Sequence, residues 1–171
     1  MTKSFPTLFI AALAGAAALA AASAQEVTRE AIGDWTKLCA PSGAPCVMEQ
    51  VGKTSAGESA LNMQIERLAQ PQTVDGQRIE AVANILTPLG VLLQPGLRLQ
   101  IDGGEVQASP FFLCQQNGCV VRAPLRSDLL NAFRRGARAR LSYAGLDGGE
   151  AREVSVDISL AGFTRAFDAL K

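Results

Sequence analysis

The stretch Leu97-Arg98-Leu99-Gln100-Ile101-Asp102-Gly103-Gly104 decides the fold class. Leu97, Leu99 and Ile101 alternate with Arg98, Gln100 and Asp102, the period of a strand with one buried face. Gly103-Gly104 then closes a tight hairpin into residues 105–108. The same alternation extends outward in both directions. Upstream, Cys46, Met48 and Gln50 alternate with Val47, Glu49 and Val51, and Leu61, Met63 and Ile65 alternate with Asn62, Gln64 and Glu66. Residues 78–86 are β-rich and more fully apolar. Downstream, residues 110–114 pair with 119–123, residues 137–142 alternate again, and Val154, Val156 and Ile158 oppose Glu153, Ser155 and Asp157. Residues 35–38 form a short first strand after a loose polar lead-in over 25–33. Residues 53–58 make a Gly/Ser turn, and 70–77 a polar loop with Pro71 and an Asp75-Gly76 turn.

Two helical segments interrupt this pattern. Ser127 is placed to cap a helix over 128–135, with Leu129, Leu130 and Phe133 inward and Gly136 as its stop. Leu160, Phe163, Phe167 and Leu170 fall at helical spacing and predict a C-terminal helix on the sheet. Helices do not alternate with strands, so a βαβ architecture is excluded. The expectation is a mainly β domain: an antiparallel β-sandwich or flattened barrel of about eight strands with two short helices. The apolar run 89–93 is expected as a buried strand. Exposed as a loop, it would mark a partner surface.

The beginning of the chain carries an address. Lys3 gives a positive start, residues 8–22 are apolar apart from Gly15, and Ala22-Ser23-Ala24 offers small residues at a cleavage site. Residues 1–24 therefore read as a signal peptide rather than a membrane span, because the run is too short. The remaining domain, 25–171, contains no membrane-spanning segment, and its expected place is periplasmic or secreted. No cysteine at the cut provides for a lipid anchor. Loss of Lys3 leaves fifteen basic against sixteen acidic residues. That near-neutral balance argues against nucleic-acid binding.

An exported setting gives Cys39, Cys46, Cys114 and Cys119 the meaning of disulfides. Each close pair brackets a turn, so Cys39–Cys46 and Cys114–Cys119 are favoured over a crosslink between the pairs. Zinc fits poorly with these spacings in a chain without histidine. The C-x-x-C pattern of thiol exchange is absent.

A family resemblance rests on several motifs in order. Gly33-Asp34-Trp35 precedes Cys39 and Cys46. Pro88-Leu89-Gly90-Val91 leads to Pro95-Gly96-Leu97 and Ile101-Asp102. Cys114 and Gly118-Cys119 follow, then Ser159-Leu160-Ala161-Gly162-Phe163 with Ala166. Together they resemble the invasion-associated locus B family of alphaproteobacteria across nearly all of 25–171. The resemblance implies a small exported envelope protein, in a family whose founding member is linked to entry into host red cells. It implies no enzymatic activity, no cofactor and no catalytic residue.

Two features remain as candidate sites. Arg134, Arg135, Arg138 and Arg140 form the one dense charge cluster. Grouped guanidiniums hold phosphate or carboxylate groups, so the candidate partner is an anionic envelope polymer or an envelope or host surface protein. The bland reading is a solvated face neutralised by acids. Trp35, the only tryptophan, is expected in the core beside a disulfide, with stacking on sugar the alternative. Without histidine, Ser-His-Asp and Cys-His sites are excluded. The remaining catalytic alternative is a cell-wall glycan hydrolase using paired carboxylates.

Overall fold

The computed structural model describes residues 26–170, and the signal-peptide reading of 1–24 lies outside them. The strands are β1 Thr28–Ile32, β2 Trp35–Cys39, β3 Cys46–Lys53, β4 Ser59–Val74, β5 Gln77–Thr87 and β6 Leu97–Ile101. They continue as β7 Val106–Ser109, β8 Phe111–Gln115, β9 Gly118–Arg126, β10 Arg138–Asp147 and β11 Glu150–Ser159. Helix α1 spans Ser127–Arg135 and α2 spans Phe163–Asp168. Seven strands form one sheet, ordered β1-β2-β3-β4-β5-β9-β8, and four form the other, ordered β11-β10-β6-β7. All pairings are antiparallel. Two separate sheets make this a sandwich and not a closed barrel.

The inward half of each alternation builds the core. Met48, Met63, Ile65 and Ile85 face it from the large sheet, and Leu97, Leu99, Leu141, Val156 and Ile158 from the small one. Burial of such side chains is the main stabilising term. Tyr143 on β10 donates its hydroxyl to the Ala60 carbonyl on β4 at 2.9 Å, tying the sheets together, and burial pushes that hydroxyl's pKa up. Cys39 lies opposite Cys46 across β2 and β3, and the two are bonded with Cα atoms 4.1 Å apart. Cys114 and Cys119 likewise join β8 to β9 at 3.9 Å.

The structure departs from the sequence expectations in five places. Eleven strands replace about eight, the clearest addition being β1 over the expected lead-in. Its side chains are exposed or half-buried throughout, so no alternation signals it. The expected polar loop 70–77 is instead the end of the β4–β5 hairpin, closed by Asp75-Gly76 with Val74 opposite Gln77. Ser127 is the first helical residue, not the cap. Arg126 holds the cap position without a side-chain hydrogen bond, and the Ser127 hydroxyl turns to the Arg78 carbonyl at 3.3 Å. Helix α2 covers six residues, so Leu160 and Leu170 are buried outside it.

Residues 88–96 are a loop rather than a buried strand. Only Val91 is packed against the core, bridging Gly145, while the Leu92 and Leu146 N–H groups donate to the Ala144 and Gly90 carbonyls. Leu89 and Leu93 are 57% and 55% exposed. Gly90 at φ 83° and Gly96 at φ 90° turn the chain away from extension on either side. At Gly96 a Cβ would stand 2.5 Å from the Ser109 carbonyl oxygen, so only glycine fits there.

Candidate binding face

The outward half of the small sheet's alternation is polar. β6 presents Arg98 and Gln100, β10 presents Arg138, Arg140 and Ser142, and β11 presents Glu153, Ser155 and Asp157. Register makes these neighbours: Arg140 lies opposite Gln100 on one side and Asp157 on the other, and Ser142 lies between Arg98 and Ser155. A shallow depression of about 420 Å³ is lined by Arg98, Gln100, Val106, Arg140, Ser142, Glu153 and Ser155. A second, of about 360 Å³, joins Gln100, Asp102, Arg138 and Arg140.

Arg140 grips Asp157 through two nitrogens, at 2.9 and 3.2 Å, and Arg138 approaches the same carboxylate at 3.5 Å. The Arg140 hydrogen bond holds the Asp157 carboxyl below its ordinary pKa; partial burial opposes this, and the Arg140 and Arg138 charges add to it. The same bond raises the Arg140 guanidinium. Arg98 reaches Glu153 at 3.6 Å. Three guanidiniums thus share two carboxylates on one exposed face, which leaves N–H donors directed at solvent.

The four clustered arginines do not act as one group. Arg138 and Arg140 share the strand face. Arg134, on α1, pairs with Asp168 at 2.9 Å and lies over the Phe167 ring at 5.2 Å, fastening α1 to α2. Arg135 lines a different groove, of about 380 Å³, between α1 and the β6–β7 turn. Arg98, Gln100, Ser142 and Ser155 join the face although sequence reasoning did not single them out. Their signal was present in the polar half of the β6, β10 and β11 alternation, once those strands are neighbours.

That groove has Leu99, Ile101, Leu129 and Ala132 on its floor and Asp102, Glu105 and Asp128 at its rim. The Asp102 carboxylate accepts the Ala137 and Arg138 backbone N–H groups at 2.8 and 2.9 Å. It is thereby committed to holding the turn at φ 46° against the start of β10. Asp128 has Arg126 at 3.5 Å.

The remaining sequence motifs converge on a structural clasp. Gly33, at φ 64°, and Gly162, at φ 86°, lie back to back: a Cβ on Gly33 would stand 2.6 Å from the Ala161 oxygen and 2.9 Å from the Gly162 Cα. The Asp34 N–H donates to that Ala161 oxygen at 3.1 Å. Gln50 on β3 donates to the Asp34 and Ser159 carbonyls and accepts the Ser159 N–H. Trp35 is 1% exposed and meets Phe163 edge-on at 5.5 Å, while Phe163 stacks between Phe133 and Phe167. The tryptophan is a core residue whose aromatic partner is Phe163, which leaves no face for a sugar.

Comparison with known proteins gives a family and a fold. The invasion associated locus B (IalB) family model matches residues 35–171. The crystal structure of invasion associated protein B from Bartonella henselae is similar, with a TM-score of 0.67 at 23% identity, covering 84% of this chain and 95% of that one. A search of curated proteins gave no match. The matched span contains the clasp from Trp35 onward, both cysteine pairs and the polar sheet face, and the chain belongs to the invasion associated locus B family.

Proposed function

We propose that this protein is an exported cell-envelope binding module, and that the outer face of its small sheet receives an anionic polymer or an acidic patch on a partner. The observation that carries the reading is the convergence of Arg98, Arg138 and Arg140 with Gln100, Ser142 and Ser155 on one exposed face. Arginine suits phosphate and carboxylate because its planar fork donates in pairs. Asp157 keeps the side chains extended and ordered until a ligand oxygen replaces it. The open, hydrogen-bonding surface fits recognition better than catalysis. The paired-carboxylate hydrolase gains nothing from the α1 groove, where Asp102 is held by backbone donors.

Export rests on the leader pattern of residues 1–24 and agrees with the two cysteine bridges. Among the described residues no helix is long and apolar enough to cross a membrane. Amino-terminal sequencing of the periplasmic and culture fractions should find Gln25 first. Intact Met1 in the inner membrane would refute the address. For the face itself, immobilised lipopolysaccharide is the probe. Binding should weaken with salt, and R138S/R140S should weaken it about tenfold without loss of fold. Lysine at both positions should restore only part of it. Equal binding by the serine variant would refute the assignment.

A further inference from the structure

The flank where β7 faces β9 holds a cavity separate from the polar sheet face. β8 pairs with β9 only as far as Val121, so residues 122–126 of β9 run on without it. β7 stands across from them as the end strand of the small sheet, and Pro110 turns the chain between β7 and β8. The space between the sheets here is a cavity of about 240 Å³. Its floor is apolar, formed by Met63, Ile85, Leu97, Leu99 and Leu125, all buried. Two alanines keep it open: Ala83 lies opposite Ala123 across β5 and β9, both buried, where larger side chains would fill the space.

The rim is polar, and the register explains how. Gln107 lies opposite Leu99 and Ser109 opposite Leu97, so β7 turns its polar residues toward the sandwich interior. Its apolar residues, Val106 and Ala108, are the exposed ones. That inverts the ordinary alternation of an antiparallel strand with one face on a core. The charged residues lining the cavity are Arg122 and Arg126, both cationic. Arg122 has no ion pair among the described residues. Arg126 has Asp128 3.5 Å from its Nε, and its Nη2 donates to the Gln107 amide oxygen at 2.9 Å, crossing from β9 to β7. That acceptor is neutral. A carboxylate in its place forms a charge-assisted bond, roughly twice as strong.

We propose that this cavity binds a free monocarboxylate with one apolar tail, of the fatty-acid type, its tail between the sheets and its carboxylate on Arg126. Each part of the ligand is selected by a part of the site. The apolar floor selects the tail. Two cations without an acid in the lining select an anion over a neutral or cationic amphiphile. The volume selects the size: it exceeds the roughly 150 Å³ that holds a benzene and falls short of the roughly 300–1,000 Å³ of a drug-sized site. One short tail enters, and a two-chain lipid does not. The site shares no residue with the arginine face and stands independently of it.

The test titrates the oxidised chain 25–171 in a calorimeter with octanoate, with octanol (the same tail without the charge), with acetate (the same head without the tail) and with phosphatidylglycerol vesicles. Octanoate should bind one to one with a dissociation constant of about 0.1–1 mM. Octanol and acetate should bind at least about tenfold more weakly, and the vesicles should give no heat. R126Q should weaken octanoate about tenfold and leave octanol unchanged, a split that loss of packing does not produce. A123V narrows the cavity and should weaken both. Methyl NMR of the unmodified protein gives a readout independent of any variant: octanoate should shift Ile85, Leu97, Leu99 and Leu125, and not the exposed Leu89 or Leu146. R138S/R140S should bind octanoate as the unmodified chain does, which separates this site from the binding face. Equal affinity for octanol and octanoate, indifference to R126Q or A123V, methyl shifts confined to other residues, no saturation below about 10 mM, or binding to vesicles alone would each overturn it.

Discussion

Replacing Gly33 by alanine tests whether the clasp between the first hairpin and the C-terminal segment holds the fold. Two costs arise. Gly33 lies at φ 64°, where an L-residue loses about 1–2 kcal/mol. The new Cβ would also stand 2.6 Å from the Ala161 oxygen and 2.9 Å from the Gly162 Cα, both backbone atoms that no side-chain rotation relieves. Separation of the strands would weaken the Asp34 to Ala161 hydrogen bond, worth about 1 kcal/mol. Gly57 supplies the control: its φ is 84°, and a Cβ there meets nothing within 4 Å. G57A therefore loses the dihedral term alone. Urea unfolding under oxidising conditions should show G33A less stable than G57A by about 1–3 kcal/mol. With a urea slope of about 1–3 kcal/mol per molar, the midpoints should differ by roughly 1 M. Equal losses in the two variants would refute the close approach as a stabilising feature. A loss at G57A larger than at G33A would refute the dihedral argument as well.

Phe163→Ala removes a fully buried ring stacked on two others and should destabilise by about 3–5 kcal/mol, with a shifted Trp35 emission as its optical signature. Asp157 contributes stability only while ionised. Its pKa is lowered in the fold, so the contribution is full above the ordinary carboxylate range and fades as pH falls through the lowered value. Asp157→Asn should remove that part of the acid sensitivity and cost less than about 1 kcal/mol near neutral pH, because the pair is exposed. A denaturation series from neutral to acid pH would show both effects. Reduction of the two bridges, which span 7 and 5 residues of sequence, should cost about 2 kcal/mol each in the chain-entropy model. Comparison of urea midpoints with and without reductant measures it.

Legibility in the sequence followed from burial. Strands with one face inward, such as β6, β10 and β11, announce themselves because their apolar residues must alternate. β1 and the outer part of the β4–β5 hairpin do not, since both faces meet solvent and nothing constrains their side chains. The arginine cluster failed as a unit for a different reason. Its counter-charges come from far along the chain, Asp168 34 residues after Arg134 and Asp157 17 residues after Arg140. Local reading sees the crowding of like charge and misses the acids that divide it. The same distance concealed the aromatic partner of Trp35, the ring of Phe163.

The clasp also makes closure of the core depend on two segments far apart in the chain. Leu160, Phe163, Ala166, Phe167 and Leu170 all enter the same core as Trp35. That core cannot close until residues 160–170 dock on it. Until then Trp35 and Phe133 lack the ring that links them, and Gly33 has no backbone to lie against. Segment 160–170 is thus the latch whose docking on the first hairpin completes the core.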